Sequence, residues 1–282
     1  VYIPDRKKEG YGPSVKAFKN LIEKNVKLIF TVDCGTLSFE AINYAYQNNI
    51  DVIVIDHHQS EVNLPKAYSI INPNRLDDRS NLNYLCAAGV VFMFLVSLNK
   101  ELRFIHWFKE NNTNEPNLIN FLDLVSLGTV CDVVPLTGLN RALVHQGLKI
   151  IKIKRNLGLK TLIDICNIQT HPNAYHIGYV LGPRINAGGR VGKSSHGANL
   201  LLSNNPKDVF KIASELNEFN KERQLLEKNV FDKILSEVNK YLIDPVIIIS
   251  GKNWHEGVIG IVASKLKDKF NKPVIIISID GE

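Results

Sequence analysis

Two short apolar runs, KLIFTV (27–32) and DVIVI (51–55), constrain most of what the first third of this chain can become. Both have strand length and are rich in β-branched residues. Between them, LSFEAINYAYQN (37–48) sets Phe39, Ile42, Ala45 and Tyr46 at helical spacing. Upstream, Ser14 is suited to cap a helix over 15–24 with Ala17, Phe18, Leu21 and Ile22 on one face. Strands joined through a helix pair in parallel, with a right-handed crossover. The expectation is an α/β fold: a parallel, doubly wound sheet in which KLIFTV is a buried strand and DVIVI the next.

Further along, helices are predicted over about 86–98, from Pro116 to Leu127, and over 141–152 with Asn140 as cap. The stretch 155–195 reads as irregular, and GPRINAGGRVGK (182–193) as a pliable glycine-rich loop. The longest helical pattern, 204–242, has Pro206 suited to its first turn. Its many charges lack a broad apolar face, so it reads as a connecting helix. After Pro245 the pattern returns to strand, helix, strand: VIIIS, a helix over about 257–269, and VIIIS again. The expected organisation is a catalytic domain over 1–203, a connector over 204–243 and a smaller α/β domain over 244–282. The chain opens at Val1 on what reads as a strand end, so sequence missing upstream, and beyond Glu282, is also expected.

A chain of 282 residues, 45% hydrophobic and 22% charged, is long enough for a full core. No apolar run reaches the length of a membrane span, and no signal-peptide pattern is visible, so a cytoplasmic location without membrane association is expected. The formal charge of +6 leans toward a polyanionic partner. Cys34, Cys86, Cys131 and Cys166 form no C-x-x-C pair, which argues for reduced thiols over structural zinc or a disulfide framework.

The chemistry concentrates where strands end. In a parallel sheet the carboxyl ends open on one edge, and ligands bind there. KLIFTV runs into Asp33-Cys34-Gly35, and DVIVI into Asp56-His57-His58. Neighbouring strands lie about 4.8 Å apart, so these two clusters should face one crevice, with Gly35 allowing a sharp turn. In SLGTVCDVVP (126–135), Gly128 is expected to end a helix and leave Asp132 buried among valines, in need of a partner. Carboxylates with imidazole and no thiolate pattern suit Mn²⁺ or Mg²⁺. The plainer alternatives are a helix cap for Asp33, backbone-bonded buried imidazoles for His57 and His58, and a buried salt bridge for Asp132.

TVDCGT, DHH and LGTVCDVVPLTGLNR, in this order and spacing, resemble the DHH/DHHA1 phosphoesterase superfamily. IPDRKKEGYGPS, GPRINAGGR and GKNWHEGVIGIVASKL narrow the resemblance to its RecJ-like branch of bacterial single-strand-specific exonucleases. The resemblance implies a two-metal, Mn²⁺-preferring enzyme (Mg²⁺ as substitute) that degrades single-stranded DNA 5′ to 3′ into mononucleotides, in repair and recombination. It further implies metal ligation by Asp33, His57 and Asp132, contact of His58 with the scissile phosphate, and support of the imidazoles by Asp56. Arg6, Arg184, Asn186, Arg190, His255 and Gly257 become substrate contacts, the last two at a helix start suited to an anion. Trp254 is a candidate for stacking on a base, or for packing.

The family's first aspartate motif is absent and would lie upstream, so the isolated 282-residue chain is expected to bind metal poorly and to be inactive. Family analogy adds a monomer and, as partners, single-strand-binding protein or a helicase. The alternatives within the superfamily are an oligonucleotide or cyclic-dinucleotide phosphodiesterase, whose GGGH-like signature is missing here, and a non-catalytic RecJ-like DNA-binding subunit, against which the intact Asp-His-His cluster argues.

Overall fold

The structure is a computed structural model and describes residues 1–5 and 9–279. The chain divides into two compact units, Val1–Gly182 and Pro183–Glu282.

The first unit is built on a parallel sheet of order β1 (Leu28–Val32), β2 (Asp51–Ile55), β3 (Ser69–Ile71). Leu28 pairs with Asp51 and Val32 with Ile55, so β1 and β2 end level. A third strand, absent from the sequence-based expectation, pairs with β2 from Ile53↔Ser69 onward. Helices α1 (Val15–Ile22) and α2 (Phe39–Gln47) join Phe18, Ala41, Ile42 and Ala45 to Ile29, Val52 and Val54 in a core on one face. The expected cap forms: Ser14 Oγ accepts from Ala17 N at 3.1 Å. On the opposite face α3 (Ala87–Phe104) packs Val90, Met93 and Phe94 around Ile53, Ile55 and Ile71. The sheet therefore carries helices on both faces, as the alternation of strand and helix predicts.

Four local expectations are corrected. Strand β1 is not buried on both faces, for it lies at the sheet edge among the described residues, and Leu28, Phe30 and Val32 stay 43–49% exposed. A short α4 (Trp107–Glu110) and a 3₁₀ turn (Leu118–Phe121) precede α5 (Leu122–Cys131), which runs straight through Gly128. A Cβ there would lie 2.7 Å from Cβ of Ala88, so the glycine serves a close helix crossing and not a stop. Helix α6 (Gly138–Ile153) begins after Thr137; Asn140 is fully buried, its amide donating to the carbonyls of Tyr84 (2.7 Å) and Pro135 (2.9 Å). The stretch expected to be irregular holds α7 (Leu157–Ile165), a π-helical segment His176–Leu181, and α8 (Gly182–Val191), so GPRINAGGRV is helix and not loop.

The second unit contains α9 (His196–Leu202), the 32-residue α10 (Pro206–Glu237) and the parallel pair β4 (Ile247–Lys252) and β5 (Val274–Ile279), joined by α11 (Glu256–Phe270). Asn205 caps α10, and Pro206 occupies its first turn as expected. Val230 and Ile234 of α10 enter one core with Ile247, Ile249, Val258, Val262 and Leu266. No helix among the described residues is long and apolar enough to cross a membrane.

Candidate metal centre

The level ends of β1 and β2 place Asp33 beside Asp56. Their backbones extend the ladder by one bond each, Asp33 N to Ile55 O and Asp56 N to Ile71 O, both 3.0 Å. There the two acids part. Asp33 takes φ +62°, a left-handed conformation that Asp tolerates, and its carboxylate is 59% exposed. Asp56 turns inward and is 1% exposed. Its Oδ2 accepts from Thr36 N (3.0 Å), and its Oδ1 takes His57 N (2.8 Å), His58 N (3.3 Å) and His58 Nδ1 (2.7 Å). Burial pushes its pKa up, but the hydrogen bonds from His58, Thr36 and His57 outweigh this and hold it at about 2. Asp56 is thus an anion at neutral pH that shapes the loop and fixes which nitrogen His58 turns away from it. Gly35, at φ +115°, makes the intervening turn; a Cβ there would lie 2.5 Å from Thr31 Oγ1.

His57 stands between two carboxylates. Its Nε2 lies 3.2 Å from Asp33 Oδ1 and 3.5 Å from Asp132 Oδ2. The hydrogen bond to Asp33 raises its pKa, burial opposes this, and the charge of Asp132 adds to the rise. A proton on the imidazole here supplies the positive charge that two converging carboxylates demand, a demand a divalent cation can meet instead. One donor atom each from Asp33, His57 and His58 lie within 4.8 Å of one another. Burial, followed by the charges of Asp56 and Asp33, pushes the Cys34 thiol up to about 11, so the neighbouring sulfur stays protonated and the donor set is oxygen and imidazole nitrogen. This set fits Mn²⁺ or Mg²⁺ better than a thiolate-bound metal.

Asp132 reaches the crevice from α5, whose C-cap it forms. The expectation of a buried acid among valines is corrected: its side chain is 41% exposed and Val133 is 87% exposed. Partial burial raises its pKa, His57 opposes that, and Asp33 adds to it. Val133 has φ +60°, which a β-branched residue adopts only under strain, and it directly follows a candidate ligand.

Two residues escaped the sequence reading. Asn72 and Asn74 follow β3. Asn72, 3% exposed, donates to Thr36 Oγ1 (2.8 Å) and to His58 O (2.9 Å); Asn74 donates to His57 O at 2.5 Å. Together they clamp the backbone of both histidines. The signal was available, since SIINPN is a β-branched run ending in amides, the same grammar as the other two strand ends.

The remaining candidates fall in the second unit, except Arg6, which lies outside the described residues. Arg184 Nε donates to Asn217 Oδ1 of α10 at 2.9 Å, and Asn186 is exposed. Arg190, His255 and Gly257 meet: Arg190 Nη1 donates to Gly257 O at 3.2 Å, and a Cβ on Gly257 would lie 2.5 Å from Arg190 O. The α11 terminus is less open to an anion than expected, because His255 Nδ1 accepts from Gly257 N at 3.0 Å and so caps the helix. Trp254 is 8% exposed within the core, a packing residue and not a stacking platform.

The model of the DHH family, N-terminal domain, matches residues 1–129. The single-stranded-DNA-specific exonuclease RecJ of Dickeya dadantii is 37% identical over 99% of this chain and 50% of its own length; that of Bacillus subtilis is 35% identical over 100% and 34%. The chain spans about half the length of the first of these relatives. A crystal structure of exonuclease RecJ bound to manganese superposes with a TM-score of 0.84 at 30% identity, over 98% of this chain and 67% of that one. RecJ from Thermus thermophilus in complex with Mn²⁺ gives 0.80 at 28% identity, over 94% and 38%. With three strand-end motifs meeting in one crevice and likeness along nearly its whole length, the chain belongs to the RecJ family of DHH proteins.

Proposed function

We propose that this chain is part of a metal-dependent phosphodiesterase that removes mononucleotides from single-stranded DNA, 5′ to 3′, in repair and recombination. The observation that carries the reading is the placement of His57 Nε2 between Asp33 Oδ1 and Asp132 Oδ2 at the carboxyl edge of a parallel sheet. Asp33, His57 and Asp132 are the ligands. Bound there, a pair of divalent ions would lower the pKa of a water and neutralise the phosphoryl oxygens under attack. His58, oriented by Asp56 and with its second ring nitrogen turned away from that contact, touches the scissile phosphate. Arg184, Asn186, Arg190, His255 and Gly257 contact the strand from the second unit, and Arg6 does so from the first. The boundaries 1–203, 204–243 and 244–282 delimit catalytic domain, connector and DHHA1-type domain, in a cytoplasmic monomer that works with a single-strand-binding protein or a helicase.

Relatives carrying the name single-stranded-DNA-specific exonuclease, and a neighbour bound to manganese, support this reading. The test is hydrolysis of 5′- and 3′-end-labelled single strands in Mn²⁺ by the full-length protein. Asp132→Ala should lower the rate at least about a hundredfold, the scale for losing a group that stabilises transition-state charge. Equal rates for variant and wild type would refute the ligand assignment.

A further inference from the structure

An aromatic pair that the centre described above does not use, Tyr175 and Tyr179, sits at the start of and within the π-helical segment His176–Leu181. Tyr175 and Tyr179 lie one turn apart with their rings stacked, centroids 5.2 Å apart and planes 29° from parallel. They are 62% and 74% exposed, and neither hydroxyl has a hydrogen-bond partner among the described residues. Single exposed aromatics are ordinary on a protein surface, but two stacked rings presented together to solvent offer one continuous aromatic face. The pair is held in place. Tyr175 stands edge-on to the His176 ring (5.9 Å, 77°), and His176 is pinned by reciprocal bonds with Asn173, whose N donates to Nδ1 (3.2 Å) and whose Oδ1 accepts from His176 N (3.1 Å).

Its position supplies the occupant. The segment is seated on the last turn of α5: the Cys131 thiol donates to Ile177 O at 3.8 Å, and a Cβ on Gly178 would lie 3.3 Å from Val130 Cγ1. Asp132, which faces His57, is the next residue of that turn. The exposed rings are thus mounted, within one unit, on the element that delivers a candidate ligand. π-Bulges recur at functional sites, and a flat aromatic face carried on a segment packed against the element that bears Asp132 suits the π-face of a nucleobase.

We propose that Tyr175 and Tyr179 form a base-stacking platform for single-stranded nucleic acid next to the metal centre. This rests on the nuclease reading above. Stacking needs the ring and not the hydroxyl, so Phe can replace Tyr, and it needs a base, so an abasic strand gains nothing.

The test measures binding of a fluorescent twelve-residue oligothymidylate, and of an abasic strand of equal length, by anisotropy in EDTA. The full-length wild type, Tyr175→Ala/Tyr179→Ala and Tyr175→Phe/Tyr179→Phe are compared. The alanine pair should weaken binding to thymidylate about tenfold or more while binding the abasic strand as wild type does, and the phenylalanine pair should match wild type on both. Unchanged thymidylate affinity in the alanine pair, or equal weakening on both strands, overturns the proposal. Hydrolysis by wild type in Mn²⁺ separates the two readings: a wild type that cleaves single strands while the alanine pair binds normally defeats the platform alone. A wild type that neither binds nor cleaves defeats both.

Discussion

At Asp56, burial and hydrogen bonding act on one carboxylate in opposite directions, and hydrogen bonding prevails, with a pKa held at about 2. A folded pKa below the unfolded value of about 3.9 means stability that is fully present above pH 4 and lost as pH falls toward 2. The depression is worth about 2–3 kcal/mol. Asp56→Asn should therefore lower stability at neutral pH and flatten the acid limb between about pH 4 and pH 2. Urea titrations across that window test this, and an unchanged slope in the variant would contradict the assignment. Val133 poses the opposite problem. Its left-handed backbone costs about 1 kcal/mol or more for a β-branched side chain, and at 87% exposure the side chain recovers little by packing. Val133→Gly should raise the thermal midpoint or leave it unchanged, and any loss of nuclease rate at equal stability would show that the strain serves Asp132. Residue types alone announced the Asp-His-His cluster, because few folds place three such groups after a β-branched run. They did not announce that Asp56 points inward while Asp33 points out, since that depends on the left-handed turn at Asp33 and on donors from Thr36 and His58.

Between elements, close approach and buried charge matter more than propensity. Gly147 of α6 lies against α5 so tightly that a Cβ would fall 1.7 Å from Ser126 Oγ and 2.0 Å from Leu122 O. Backbone cannot yield as a side-chain tip can, so Gly147→Ala should cost about 2–3 kcal/mol or more in chemical denaturation. In the second unit, Glu227 of α10 is 6% exposed; its Oε2 lies 2.7 Å from Arg223 Nη1, and its other oxygen meets Lys265 of α11. Arg223 also donates to Asn220 Oδ1 at 3.1 Å. Removing one partner leaves a buried charge poorly compensated, so Arg223→Met should destabilise by about 3 kcal/mol. An unchanged midpoint would mean that Lys265 alone suffices. The period of apolar residues correctly located α1 and α2, and the helical patterns over 204–242 and 257–269 return as α10 and α11, whereas the glycine code misled. Gly128 and the GPRINAGGR glycines read as breaks because, by propensity, glycine weakens a helix. In the fold they are helical; a Cβ on Gly128 would fall 2.7 Å from Ala88 Cβ, and one on Gly188 would lie 3.0 Å from Leu216 Cδ2.

Across the whole molecule, the metal reading links to stability. An ion that binds the folded centre at a hundred times its dissociation constant adds about 2.7 kcal/mol. Mn²⁺ should therefore raise the thermal midpoint of the full-length wild type relative to EDTA but not that of full-length Asp33→Ala; equal shifts in both would place the ion elsewhere. Strand and helix alternation, with β1 and β2 as parallel neighbours, was legible from the chain because it follows from local periodicity and the handedness of crossovers. The facing of Asp33 and Asp56–His58 followed from that alternation. The approach of Asp132 to His57, some seventy-five positions away in sequence, did not follow from it and was expected through the resemblance. Nor did the clamp of Asn72 and Asn74, the burial of Asn140 and Trp254, or the exposure of Tyr175 and Tyr179. Each of these is set by which surfaces meet after the elements form, and a short pattern carries no record of contacts made across long loops.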